Sequence, residues 1–463
     1  MPQARSAPQP GLDAFFRPRT IAVIGASRNP WKLGYAILDN LQRSRFPGAI
    51  YPVNPLAREV LGLKAYASVL DAPRRIDLAV LVVSAPQVAP MLEECGQKGA
   101  KGALIITAGF RETGADGLRG EQELVDIARR YRMRLVGPNS LGVLDTFHNL
   151  NASFGEGLPR AYEIAVLSHS GAMASALLDW AALADVGFSK FVSLGNSADV
   201  NETDMLEHWA RDREARVIVG YLEGIHDGRR FLDAARKVTS RKPLILMKVG
   251  GTDAGARAMA SHTGALATSE AVVDAAFRQT GIVRAHTMQE LFDFIPCFSY
   301  CPLPAGPRVA VVTNAGGPGV MAADALERQG LKLAEMGAGT RRKLQESLPN
   351  AAALRNPIDL RGDAPADSYL AALEAVLPEP GVDAVLALFT PQAVSEPERT
   401  ARVLISICKA AKKPILAVYM GGVAIGRAVD MLEKARVPVY SYPERAVHAL
   451  HALVAYARYR AGP

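Results

Sequence analysis

Short apolar runs alternate with stretches of helical periodicity along nearly the whole chain, and this alternation constrains the fold more than any other feature. The first series is Ile21 to Gly25, Ala49 to Val53, Leu78 to Val83, Ala103 to Thr107 and Arg134 to Gly137. Runs without polar interruption read as strands buried on both faces, and strands spaced by helices read as a parallel sheet with helices on either side. A second series comprises Glu163 to Leu167, Phe188 to Leu194, Val217 to Leu222 and Pro243 to Val249. Tyr300 to Pro307 follows with three prolines in eight residues, which neither a helix nor a central strand accepts. A third series then runs through Arg308 to Thr313, Val382 to Phe389, Pro414 to Tyr419 and Pro438 to Tyr440. At 463 residues the chain exceeds one ordinary core. The expectation is three α/β domains, residues 11–150, 155–299 and 308–463.

The second and third series open alike. Ala165 to Gly171 and Val311 to Gly317 each run from a strand through a small polar turn to glycine and an amphipathic helix, so the two domains read as a duplication.

Charge and cysteine usage exclude several classes. Lys plus Arg number 53 against 46 Asp plus Glu, a net +7 that is modest for this length. The densest basic run, Arg129, Arg130, Arg132 and Arg134 around Tyr131, closes a helical pattern just before the apolar Leu135-Val136, where cations suit a helix C-terminus, so no nucleic-acid surface is expected. Cys95, Cys297, Cys301 and Cys408 form no C-x-x-C pair, which argues for reduced thiols and no metal site. Met1 to Pro10 is polar and proline-rich, unlike a secretory signal, and no apolar run is long enough to span a bilayer. A cytoplasmic protein without membrane association is expected.

Two kinds of phosphate site are legible. Gly25-Ala26-Ser27 ends the first strand and Gly34 follows at the next helix, so backbone NH groups can approach an anion. The spacing is not G-x-G-x-x-G, and the second strand ends at Val53-Asn54-Pro55, where a nicotinamide enzyme places an acid. That disfavours NAD. Ser168-His169-Ser170-Gly171 and Asn314-Ala315-Gly316-Gly317 precede strong helix formers, and open helix starts attract anions. His169 either touches such an anion or serves the capping turn. His148, His208, His226, His286, His448 and His451 read as surface or packing residues.

His262 stands apart. It lies in Gly250 to Leu266, a glycine- and alanine-rich stretch after the last strand of the second series, which reads as a mobile loop. Glu223 ends the preceding strand. If the strands are parallel neighbours, Glu223 accepts Nδ1–H of His262 and leaves Nε2 nucleophilic.

Ser261 to Leu266 (SHTGAL), Ser193 to Val200 (SLGNSADV), Gly137 to Gly142 (GPNSLG) and Asn356 to Leu360 (NPIDL) together resemble the α subunit of the nucleoside-diphosphate-forming acyl-CoA synthetases. The resemblance implies a Rossmann-like CoA-binding domain followed by two flavodoxin-like domains of the succinyl-CoA synthetase kind. It implies conversion of acyl-CoA, ADP and phosphate into free acid, CoA and ATP through an acyl phosphate and a phosphohistidine. His262 matches that histidine, Glu223 its acid partner, and the two helix starts the dipoles that cradle the phosphate. CoA would lie against Gly25 to Ser27, Val53 to Pro55, Ser84-Ala85-Pro86 and Thr107-Ala108-Gly109-Phe110, with Asn139 near the thiol. The third domain favours the acetyl or broader acyl branch over the succinyl one. With no G-x-x-x-x-G-K-[ST] and no ATP-grasp segment, the resemblance implies a separate ATP-grasp β subunit in a hetero-oligomer, carrying ADP or ATP with Mg2+, and a small carboxylic acid as co-substrate. The competing expectation is a non-catalytic CoA or acyl-CoA sensor, against which the retention of both Glu223 and His262 argues.

Overall fold

In the computed structural model of the chain, residues 11–263 and 269–462 are described, the side chains of residues 259–263 excepted. Three parallel-stranded sheets emerge where the apolar runs predict them. The first contains β1 (Thr20–Ile24), β2 (Ala49–Val53), β3 (Leu78–Leu81), β4 (Gly102–Ile105) and β5 (Arg134–Val136), in the order β2-β1-β3-β4-β5. Along β1, Ile21 and Val23 enter one core with Ile37, Leu38 and Leu41, whereas Ala22 and Ile24 enter another with Val88, Leu92 and Leu124. Side chains of a strand alternate between faces, so a strand with a core on each side has no polar positions to spare.

The second sheet contains β6 (Gly142–Asp145), β7 (Leu150–Ser153), β8 (Ala161–Ser168), β9 (Phe188–Ser193), β10 (Val217–Leu222), β11 (Leu244–Lys248) and β12 (Val283–Ala285). Its order is β12-β11-β10-β8-β9-β6-β7, with β6 and β7 as an antiparallel edge. The third contains β13 (Arg308–Thr313), β14 (Lys332–Leu333), β15 (Ile358–Asp359), β16 (Ala384–Phe389), β17 (Ile415–Tyr419) and β18 (Val439–Tyr440), in the order β14-β13-β16-β17-β18 with β15 also pairing β13. The chain divides into two compact units, the first ending at Arg284 and the second beginning at Ala285.

In the parallel core of each sheet the chain begins centrally, steps to one side and then returns to continue on the other. The reversal leaves a crevice at the carboxyl ends of β1 and β3, of β8 and β10, and of β13 and β16, where α/β folds bind ligands. The duplicated turns also match atom for atom. Ser168 Oγ donates to the Ser170 carbonyl at 2.8 Å and accepts from the Ser170 NH at 3.2 Å, and Thr313 Oγ1 does the same with Ala315 at 2.9 and 3.1 Å.

Two local expectations change. The stretch expected as a loop around His262 contains a helix, Asp253–Thr263. Alanine at 254, 256, 258 and 260 outweighs the single internal Gly255, and the Thr252 hydroxyl accepts from the Gly255 NH at 3.1 Å at its start. Gly264, Ala265 and Leu266 lie outside the described residues. Arg134, grouped with the basic run at the helix end as well as with the predicted strand Arg134 to Gly137, leaves that run: it is buried in β5, where it donates to Asp199 at 2.8 Å and Asp204 at 3.1 Å and ties the first sheet to the second.

Candidate active site

A cleft of about 1570 Å³ joins the crevices of the first and second sheets. At its first-sheet end, Gly25 has φ +91°, and a Cβ there would lie 2.4 Å from the Val82 carbonyl oxygen; a Cβ on Gly34 would lie 2.1 Å from the Gly25 carbonyl oxygen. Only glycine permits this turn and this approach of helix to strand. Asn54 donates its amide to the Ala26 carbonyl at 2.7 Å and accepts from the Leu56 NH at 2.8 Å. A neutral amide with partners on both its nitrogen and its oxygen therefore occupies the place of a ribose-binding acid. Thr107 donates to the Val83 carbonyl at 2.7 Å, closing the floor between β3 and β4.

Of the expected CoA residues, Gly25, Ala26, Ser27, Val53, Asn54, Pro55, Ser84, Thr107, Ala108 and Asn139 line the cleft. Ala85, Pro86, Gly109 and Phe110 do not. Ala85 and Pro86 open the helix Ala85–Gln97, and Phe110 is buried in the core beneath. Glu112 accepts from the NH groups of Gly109 and Phe110 and from the Asn196 amide at 2.6 Å. Burial pushes Glu112 upward, but these donors outweigh it and hold the carboxyl below its ordinary range.

At the second-sheet end stands the helix Gly171–Leu183. Ser170 caps it, accepting from the Met173 NH at 3.3 Å, and Ser170, Gly171, Ala172 and Ser175 face the cleft. The other NH groups of the first turn have no partner within the helix, so this end of the cleft can receive an anion. In the second unit the helix Gly316–Arg328 starts from Ala315, which offers no side-chain cap, while Asn314 donates to the Thr390 carbonyl and accepts from the Thr390 NH across the β13/β16 crevice.

His169 lies on the cleft wall, but its ring is committed to other partners. Nδ1 accepts from the Glu223 NH at 3.2 Å, which places the ring proton on Nε2, 3.5 Å from Glu202 Oε2. Glu202 is fully buried and also accepts from the His226 NH at 2.9 Å and from His226 Nδ1 at 3.0 Å. Burial, the largest influence, raises the Glu202 pKa, yet the hydrogen bonds and charges of His169 and His226 outweigh it and hold the carboxyl far below its ordinary range. His226 is exposed, in keeping with its reading as a surface residue, and it also lines the cleft. No sequence signal marks the pair, because residues 202 and 226 meet only through folding.

Glu223 follows β10 and lines the cleft. β10 pairs in parallel with β11, Leu222 opposite Lys248, so the segment from Gly250 leaves the same sheet edge. The helix Asp253–Thr263 then approaches the turn Arg111–Thr113, whose Arg111 and Glu112 also line the cleft. His262 belongs to the last turn of that helix; its side chain lies outside the described residues.

Among the described residues, Asp145, His148 and Glu214 bring possible metal-ligand atoms together. Lys190 already serves these acids, with Nζ 2.5 Å from Glu214, 2.9 Å from Asp212 and 3.7 Å from Asp145. Arg17, 3.0 Å from Glu214, supplies a second positive charge to the cluster. No helix among the described residues is long and apolar enough to cross a membrane.

Comparison with known proteins agrees with this geometry. A CoA binding domain model matches residues 19–146, a succinyl-CoA ligase-like flavodoxin domain residues 161–298, and a ligase-CoA domain residues 309–462. The α subunit of ADP-forming acetate–CoA ligase II of Pyrococcus furiosus is 44% identical over 96% of this chain and 98% of its own. ADP-forming acetate–CoA ligase I of Archaeoglobus fulgidus is 42% identical over 96% of this chain but only 64% of its own. The structure of the dinucleotide-forming acetyl-coenzyme A synthetase 1 of Candidatus Korarchaeum cryptofilum, in complex with phosphate and ADP, superposes with a TM-score of 0.92 at 40% identity, covering 97% of both chains. The Rossmann-like domain, the flavodoxin-like domains and the near-complete match to these ligases place the chain in the family of ADP-forming acetate–CoA ligase α chains, enzymes of the ligase class.

Proposed function

We propose that this chain holds CoA on its first sheet, forms an acyl phosphate at the helix start of its second, and carries the phosphoryl group away on His262. The carrying observation is the continuous cleft from the Gly25 turn to Ser170 and Gly171, with Glu223 on its wall. An extended ligand with phosphates at one end and a thioester at the other suits a cleft of this length. Phosphate at the helix start then stands beside the thioester carbon, and its attack yields the acyl phosphate.

Glu223 receives Nδ1–H of His262 and stabilises the imidazolium that develops as Nε2 takes the phosphoryl group. The described side chains of the His262 helix are small or exposed, with Asp253, Ala254, Arg257 and Ala258 all exposed, so little apolar contact holds it in place. That suits an arm that travels. The second helix start, Asn314 to Gly317, offers another cradle for the carried phosphate.

In this reading the domains are 11–150, 155–299 and 308–463, with the β6–β7 hairpin tying the first to the second. ADP or ATP with Mg2+ is held by an ATP-grasp β partner in a hetero-oligomer, the acid is a small carboxylic acid, and the assembly works in the cytoplasm. Relatives described as α subunits support a partner chain. The test is ATP formation from acetyl-CoA, ADP and phosphate. The chain alone should give none, and addition of the β partner should restore it. Turnover by the chain alone would overturn the division of labour.

A further inference from the structure

Glu202, His169 and His226 form a cluster that the carrier mechanism leaves without a task. Glu202 opens the helix Glu202–Trp209 and has no exposed surface. A buried carboxylate is costly unless charge-assisted donors surround it, and here its partners are the NH and Nδ1 of His226, with His169 Nε2 3.5 Å away, rather than a permanent cation. The rings of His169 and His226 are 6.4 Å apart and nearly perpendicular. They differ in freedom. His169 is fixed as the Nε2–H tautomer by the Glu223 NH and is almost wholly buried, whereas the His226 side chain retains 37% exposure and lines the cleft. Glu202 accepts from His226 Nδ1, and His226 Nε2 has no hydrogen-bond partner among the described residues. A carboxylate that fixes one imidazole nitrogen and leaves the other facing a substrate cleft makes a proton-transfer group.

Resting on the proposed CoA and phosphate sites, we infer that His226 is the proton shuttle of the thioester step, with Glu202 and His169 as its positioning residues. The step needs one. A hydrogen-phosphate oxygen forms a bond to the thioester carbon, the carbon–sulfur bond breaks with its electron pair going to sulfur, and the products are acyl phosphate and CoA thiol. The proton carried by hydrogen phosphate must therefore end on sulfur. His226 Nε2 takes it as the phosphate attacks, Glu202 stabilises the transient imidazolium, and Nε2 returns the proton to the departing thiolate. Nothing is oxidised or reduced, and no further reactant is required.

The test compares two phosphoryl donors. Full-length parent and His226→Gln are each given acetyl-CoA with inorganic phosphate, reading CoA thiol release in the first turnover, and separately radioactive acetyl phosphate, reading protein-bound label. His226→Gln should slow thiol release by about 10²-fold or more, the ordinary scale of acid–base catalysis, while its labelling by acetyl phosphate stays within about twofold of the parent. Glu202→Gln should show the same donor selectivity with a smaller loss. The partly exposed His226 tolerates glutamine even if the Glu202 variant does not fold. Unchanged thiol release in His226→Gln, or equal losses with both donors, would overturn the shuttle. A parent that releases thiol but takes no label from acetyl phosphate would instead overturn the carrier reading, and thiol release would still decide the role of His226.

Discussion

Gly171→Asp should separate helix stability from phosphate binding, because the two respond with opposite sign. Gly171 is the first residue of its helix, and a Cβ there meets only the Leu141 Cβ at 3.8 Å, so a side chain fits. An acid in the first turn favours the helix by about 0.3–1 kcal/mol. The same carboxylate stands where the proposed function puts the phosphate. At about 4 Å separation, unit charges repel by about 1 kcal/mol in water and about 4 kcal/mol at the effective dielectric constant near a protein surface. Phosphate affinity should therefore fall by about 5- to 1000-fold, while the melting temperature holds or rises. Gly171→Ala, which adds bulk without charge, should change phosphate affinity by less than about threefold. The assay is the phosphate dependence of thiol release from acetyl-CoA, alongside thermal melts. A Gly171→Asp chain that keeps the parental phosphate dependence would refute the placement of phosphate at this helix start.

Gly34→Ala should destabilise the first sheet by about 1–3 kcal/mol, the ordinary cost of overpacking, since its Cβ falls 2.1 Å from the Gly25 carbonyl oxygen; calorimetric titration should then find CoA binding weakened, and parental stability would refute the close approach. Lys190→Met should cost about 3–5 kcal/mol by leaving Asp145, Asp212 and Glu214 without their shared cation, read by chemical denaturation, with a loss under about 1 kcal/mol contradicting the ion-pair role. For Glu202 the folded-state pKa is depressed, so its stabilisation is present above the unfolded value of about 4.3 and disappears as pH falls through the folded value. The gap in melting temperature between parent and Glu202→Gln should narrow as pH drops from about 5 to 3, and a gap independent of pH would contradict the assignment.

The sheets were legible because their strands are continuous apolar runs, and only strands with a core on both faces look like that. The edge hairpin β6–β7 was not, since Asp145, Asn151 and Ser153 are polar yet buried and interrupt any apolar run. The first-sheet glycine turn was legible through Gly25 and Gly34, because its reasons are local backbone geometry. The His262 helix was hidden by its composition, as small residues signal a loop and a weakly anchored helix alike. His226 was invisible because its chemistry comes from Glu202 and from the loop after β10, brought together only at the β8/β10 crevice.

The most direct test of the carrier mechanism is to incubate the full-length chain with radioactive phosphate and acetyl-CoA and map the bound label by peptide sequencing. The mechanism predicts acid-labile, base-stable label on His262, lost in a folded His262→Asn variant that still binds CoA and sharply slowed in Glu223→Gln, because an amide cannot stabilise the developing imidazolium. Label on another residue, or label that persists in His262→Asn, would contradict it.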